Sequence, residues 1–135
     1  MIPARTFALV LLMGAGCNSA EPPETLIPVK GMVAVRGQPL SHGSILFVPD
    51  KERGNKTTTQ PSGSIKDGAY ELFTGNRHGA PAGIYKVAII ANQPASSTTP
   101  IRWLANPRYA SGDSGLHAEV VVDAADGAYR FELEP

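Results

Sequence analysis

Ala82-Gly83-Ile84-Tyr85-Lys86-Val87-Ala88-Ile89-Ile90-Ala91 decides the fold. After Gly83 frees the backbone to turn, the run is denser in β-branched and aromatic residues than any other part of the chain, and it predicts a central strand buried on most of both faces. Such a strand needs neighbours in a sheet. Asp67 to Leu72 is the expected neighbour before it, and Ala118 to Val122 the expected neighbour after it.

Working outward, the same grammar recurs. Ile27 to Val35 alternates, with Val29, Gly31, Val33 and Val35 on one face and Lys30, Met32, Ala34 and Arg36 on the other. Arg36 to Leu40 reads as a turn, Ser44 to Val48 as an apolar strand stopped by Pro49, and these two strands as a hairpin. Ser62 to Ile65 is a weak strand, extended backwards by Thr57 to Gln60. Asp67-Gly68 follows, a strong hairpin signal because both turn positions must tolerate positive φ. Asp126-Gly127-Ala128-Tyr129 repeats Asp67-Gly68-Ala69-Tyr70 and predicts a second turn of the same kind. His117 to Val122 and Tyr129 to Leu133 are then expected to close the chain as a hairpin, with Tyr129, Phe131 and Leu133 inward and Arg130, Glu132 and Glu134 outward. Asn92 to Gly115 is too long for a plain connection in a compact domain. It either packs across the sheet or carries function.

Composition agrees. The 14 glycines and 12 prolines among 135 residues punctuate the chain at the spacing of short strands joined by turns, and helical periodicity is missing beyond the first residues. The expectation is an all-β chain, a seven-stranded antiparallel sandwich with a single core. Twelve basic residues balance twelve acidic ones without a block of either sign, which leaves no electrostatic footprint for nucleic acid. A single cysteine, Cys17, excludes an intramolecular disulfide and a cysteine-based zinc site.

Cys17 takes its meaning from what precedes it. A positively charged start, Met1 to Arg5, leads into the apolar run Thr6 to Met13 and then Gly14, Ala15 and Gly16, the three-part build of a secretory signal peptide and too short to span a bilayer. With cysteine directly after Gly16, the leader resembles a bacterial lipoprotein signal, although Gly14 stands where such signals usually carry Leu, Val or Ile. The resemblance implies a leader over 1–16, a lipidated Cys17 as mature N-terminus, a tether over 17–26 and a domain over 27–135. The alternative is ordinary cleavage near Ala20 or Cys17 and a soluble secreted protein.

A second resemblance covers nearly the whole mature chain. Pro28-Val29-Lys30-Gly31 with Val33, Gly37-Gln38-Pro39-Leu40, Gly43 to Pro49, Asp67 to Tyr70, Pro81 to Val87 and the Pro107-Arg108-Tyr109 segment are together similar to the transthyretin-like, carboxypeptidase-regulatory-like domains of small planctomycete-type lipoproteins. It implies a prealbumin-like (Ig-like) sandwich, held in the cell envelope by its lipid, with no assigned activity.

Chemistry is sparse. Gly112-Asp113-Ser114-Gly115 matches the surroundings of a trypsin-like nucleophile, but Leu116 replaces the glycine that should follow and the chain is far too short for two barrels; a polar turn is the simpler reading. His42, His78 and His117 show no ligand spacing, so no metal or other cofactor is expected. Tyr129-Arg130 starts like the terminal signature of hydroxyisourate hydrolases and then departs at Phe131-Glu132. A Lys–Asn isopeptide would need an inward lysine, and Lys30 has the wrong parity. No catalytic residue is assigned. Trp103 and Tyr109, in the long loop with Ile101 and Leu104, are the candidate ligand-binding residues, because aromatic faces stack on sugars. The leading expectation is a non-catalytic structural, adhesion or protein-interaction module whose partners are the membrane and envelope proteins; a carbohydrate-binding sandwich is the alternative. An exposed Trp103 beside Tyr109 would favour the alternative.

Overall fold

The computed structural model describes residues 25–93 and 95–135; the leader, Cys17 and most of the expected tether lie outside the described residues. The fold is all-β. Lys30–Val35 (β1), His42–Pro49 (β2), Ser62–Lys66 (β3), Ala69–Glu71 (β4), Gly83–Ile90 (β5), His117–Val120 (β6) and Arg130–Leu133 (β7) are its main strands. Helix is confined, among the described residues, to two short 3₁₀ turns, Lys51–Arg53 and Pro107–Ala110.

The strands follow one path, β6-β5-β2-β3-β4-β1-β7, with the two-residue strands Gln38–Pro39, Phe73–Thr74 and Arg77–His78 attached beside it. β5 is an interior strand but stands one place in from the β6 edge rather than at the centre, paired antiparallel with β2 from Ser44↔Ile90 to Pro49↔Tyr85 and with β6 from His117↔Lys86 to Val120↔Gly83. Asp67 and Gly68, with φ of 50° and 81°, make the predicted tight turn between β3 and β4.

Three pairings differ from expectation. β1 and β2 do not form a hairpin: β1 folds back only onto Gln38–Pro39, through Arg36 and Gly37 at φ 49° and 77°, and β2 lies between β3 and β5. The segment from Asp67 to Leu72 runs beside β1 rather than beside the central strand. β6 and β7 are not a hairpin either; they are the two edges of the path, and β7 pairs with β1 in parallel, Val33↔Phe131 and Val35↔Leu133. The two Asp-Gly-Ala-Tyr segments accordingly differ in form. Only Asp67 adopts positive φ; Asp126 does not, and Gly127 turns alone at 79°. An antiparallel hairpin needs a turn that reverses the chain, whereas a parallel partner arrives from a distance.

The path is curled on itself. Phe47 on β2 and Phe131 on β7 are separated along it by three strands, yet their rings stand 6.4 Å apart at 79°, and Phe47 also meets Tyr85 at 5.5 Å. Edge-to-face aromatic geometry of this kind adds to the burial of large apolar area. Val33, Leu72 and Val87 are fully enclosed around them. On β7 the predicted alternation holds: Tyr129, Phe131 and Leu133 are buried and Arg130, Glu132 and Glu134 exposed.

One buried hydrogen bond bridges over β1, from β4 to the residue just before β7. The Tyr70 hydroxyl donates to the Tyr129 carbonyl at 2.6 Å. Burial, and secondarily the neighbouring Tyr129, pushes the Tyr70 phenol well above its ordinary value of 10.0. The unfolded chain therefore loses this proton near pH 10 while the folded chain keeps it, so stability present below pH 10 should fall as pH rises beyond it. Tyr70→Phe should cost about 1–2 kcal/mol at neutral pH and flatten that alkaline decline. Urea melts of both proteins at pH 8 and above pH 10 check it, and parallel declines in the two would remove Tyr70 as the cause.

Candidate functional site

A concavity lies where the chain enters the domain. One wall is Thr25–Pro28, held in place by Ile27, whose N–H donates to the Ala80 carbonyl at 2.8 Å and whose carbonyl accepts from the Ala80 N–H at 2.9 Å. The opposite wall is the connection from Val121 to Arg130, shaped by Asp123 at φ 58° and by the turn that closes from Ala128 N–H to the Ala125 carbonyl at 3.1 Å. Between them is a cleft of about 770 Å³, within the range of small-molecule sites. Buried Tyr129 contributes to the lining, and its hydroxyl accepts from the Val121 N–H at 3.4 Å. Met32, Val121 and Val122 also line it and are exposed, Val122 by 71%. Its charges balance, Lys30 and Arg130 against Asp123 and Asp126.

A tight hairpin between Val122 and Tyr129, as expected from the sequence, would leave no room for this cleft. The signal available was Val120-Val121-Val122, a run that breaks alternation and so leaves at least one valine facing away from the core.

Trp103 and Tyr109 have different environments. Trp103 lies on a two-residue strand, Arg102–Trp103, paired with Asn92–Gln93, and is 43% exposed, with Ile101 also exposed beside it in sequence. Tyr109 is buried at 3%. It sits in the second 3₁₀ turn, which starts with Pro107 and is capped by Asn106, whose Oδ1 accepts from the Arg108 N–H at 3.0 Å. The Tyr109 hydroxyl accepts from the Glu134 N–H at 3.0 Å and from Arg108 Nη2 at 3.0 Å, and the Arg108 guanidinium lies 4.9 Å from the ring centre. Tyr109 therefore pins the long loop against the C-terminal strand and offers no free face beside Trp103. As the sole tryptophan, Trp103 should show red-shifted emission that acrylamide quenches readily. A blue-shifted, protected emission would contradict the exposure.

A polar cluster surrounds the buried Asp50. Its backbone carbonyl accepts from the N–H groups of Arg53 at 3.1 Å and Asn55 at 3.0 Å, while its Oδ2 lies 3.6 Å from Arg53 Nε and 3.9 Å from His117 Nε2. Oδ1 has no hydrogen-bond partner among the described residues. Asn55, also buried, is spent on structure: Nδ2 donates to the Ile84 carbonyl at 2.9 Å and Oδ1 accepts from the Thr57 N–H at 3.0 Å.

The remaining motif residues stand apart. Ser114 donates to the Val87 carbonyl at 2.6 Å and accepts from the Leu116 N–H at 3.2 Å, which makes it a turn residue. His78 contacts Glu71 at 2.9 Å, and His42 opens β2. Among the described residues no group of three or more His, Cys, Asp and Glu side chains is placed to hold a metal ion, and no helix is long and apolar enough to cross a membrane.

Compared with protein-family models, with curated proteins and with solved structures, the chain matches none. The cleft can accommodate an uncharged, largely apolar ligand, and the Asp50 cluster can hold a cation-bearing loop; neither brings together a nucleophile, a base and an anion-stabilising pair.

Proposed function

We propose that this protein is a non-catalytic lipoprotein of the cell envelope, anchored through a lipid on Cys17 and carrying a seven-stranded prealbumin-like sandwich of the carboxypeptidase-regulatory-like kind. It acts as a structural, adhesion or protein-interaction module. The observation that carries the reading is the order of parts: a basic start, an apolar run and small residues end at Cys17, and a closed β core begins at Val29 after a proline-containing stretch. Several acyl chains on one residue, each contributing roughly 0.8 kcal/mol per buried CH₂, hold a small domain firmly at a membrane. The curled sheet and its aromatic contact between β2 and β7 are what two facing layers require.

The test is metabolic labelling with palmitate in a bacterial host. The natural chain should take up label and fractionate with membranes, and Cys17→Ser should take up none. Label retained by the Cys17→Ser chain, or none on the natural one, defeats the proposal.

The second reading, carbohydrate binding, is supported by one observation, the exposure of Trp103. With Tyr109 buried, it reduces to stacking on a single indole ring, which a glycan-induced change in tryptophan emission would reveal.

A further inference from the structure

We infer that the cleft at the domain entrance is a pocket for an acyl chain, and that its occupant is the lipid carried by Cys17 of the same molecule. The inference rests on the lipoprotein reading for the source of the chain and on the cleft itself for the site.

Three observations converge. The first is connectivity: Thr25 to Pro28 form one wall, and only Asn18 to Glu24 separate Cys17 from that wall. The eight steps from Cys17 to Thr25 reach at most about 27 Å at roughly 3.4 Å per step, so a lipid on Cys17 is confined to the neighbourhood of the cleft mouth. Its effective concentration there is correspondingly high.

The second is chemistry. Leu26, Ile27, Met32, Val121, Val122 and Ala124 supply an apolar lining, and the two basic and two acidic residues around them cancel. A phosphorylated or carboxylated ligand would call for an excess of positive charge, which the lining lacks; a hydrocarbon chain calls for none. An anionic bilayer surface is disfavoured on the same ground.

The third is shape. The apolar residues line an open-sided concavity of about 770 Å³, which can receive a chain along its length. Exposed valines and methionine gathered at one cleft are also costly to leave in water. With the pocket filled, one of the acyl chains on Cys17 is shielded whenever the protein is away from a membrane, and it exchanges into the bilayer on arrival.

The experiment uses the processed chain from residue 17 with Cys17→Ser, which has no lipid of its own and retains the entire core from Val29 to Leu133. The methyl ester of cis-parinaric acid, a fluorescent and uncharged acyl chain, is the probe. Saturable binding at micromolar concentration is expected, weakened at least tenfold by Val122→Asp, which places a charge at an exposed wall position, and by Ala128→Trp, which fills the cleft. Circular dichroism should show both variants folded. The lipidated natural chain should bind the probe more weakly than the Cys17→Ser chain. Absence of binding by the folded Cys17→Ser chain, or equal binding by it and both variants, overturns the pocket. Sedimentation of that chain with phosphatidylcholine vesicles without uptake of the ester also overturns it, assigning the face to the bilayer. Palmitate labelling is independent of these results, so the anchor and the pocket can fail separately.

Discussion

Gly31→Ala is expected to remove about 4 kcal/mol or more of stability, enough to leave a domain of this size largely unfolded at moderate temperature. A Cβ at position 31 would stand 2.0 Å from the Tyr129 carbonyl oxygen and 2.6 Å from the Tyr70 hydroxyl, two atoms that are hydrogen-bonded to each other. The carbonyl is backbone at the entrance to β7 and cannot rotate aside. Relief requires moving β7 away from β1, which breaks the Tyr70 bond and leaves a buried acceptor unpaired, adding about 1–3 kcal/mol to the cost of overpacking. The melting temperature should fall by about 20 °C, taking 4–8 °C per kcal/mol for a domain of roughly 100 residues. Gly112→Ala is the control: nothing lies within 4 Å of its Cβ position, and its change should stay within about 0.5 kcal/mol. Equal melting temperatures for the two variants would show that β1 and β7 are not in the contact described.

Phe47→Ala should be nearly as damaging, at about 3–5 kcal/mol. Its ring is fully enclosed and touches Tyr85 on the neighbouring strand and Phe131 on the far side of the curl. Truncation therefore leaves a cavity between strands that share no hydrogen bonds and cannot close over it. Phe47→Leu should recover part of the loss by refilling volume, and Met32→Ala, at an exposed position on the cleft, should cost little. Urea midpoints for the three variants give the order. A mild Phe47→Ala, close to Met32→Ala, would mean that β2 and β7 do not face each other across one core.

Side-chain direction was legible in the residues, and strand neighbourhood was not. Gly83–Ile90 announces itself because an unbroken β-branched and aromatic run has no other stable home than a sheet interior. Asp67-Gly68 is equally plain, since few residue pairs accept two positive φ angles. The alternation from Tyr129 to Leu133 correctly separates buried from exposed side chains. Alternation says nothing, however, about which strand lies alongside. β6 and β7 are near in sequence with a turn-like segment between them, and local economy favours a hairpin; the structure instead joins β7 to β1, where Val33 and Val35 meet Phe131 and Leu133.

The candidate site was less legible for the same reason. Its walls come from residues near 27 and residues near 125, and no local pattern links them. Tyr109 offered a better clue than its aromaticity. Asn106-Pro107 is a capped start to a tight turn, and a tyrosine held in such a turn is positioned to anchor a loop. Trp103, two residues before Ala105, carries no comparable signal of its exposure.

Pairing of the first main strand with the last has a consequence for the order of assembly. Val33 gains its partner Phe131 only after the long stretch of chain between them is available, so a chain emerging amino end first from a ribosome keeps an unsatisfied edge along β1 until β7 arrives. Premature locking is topologically barred, and the same delay leaves β1 open to intermolecular pairing while synthesis is incomplete.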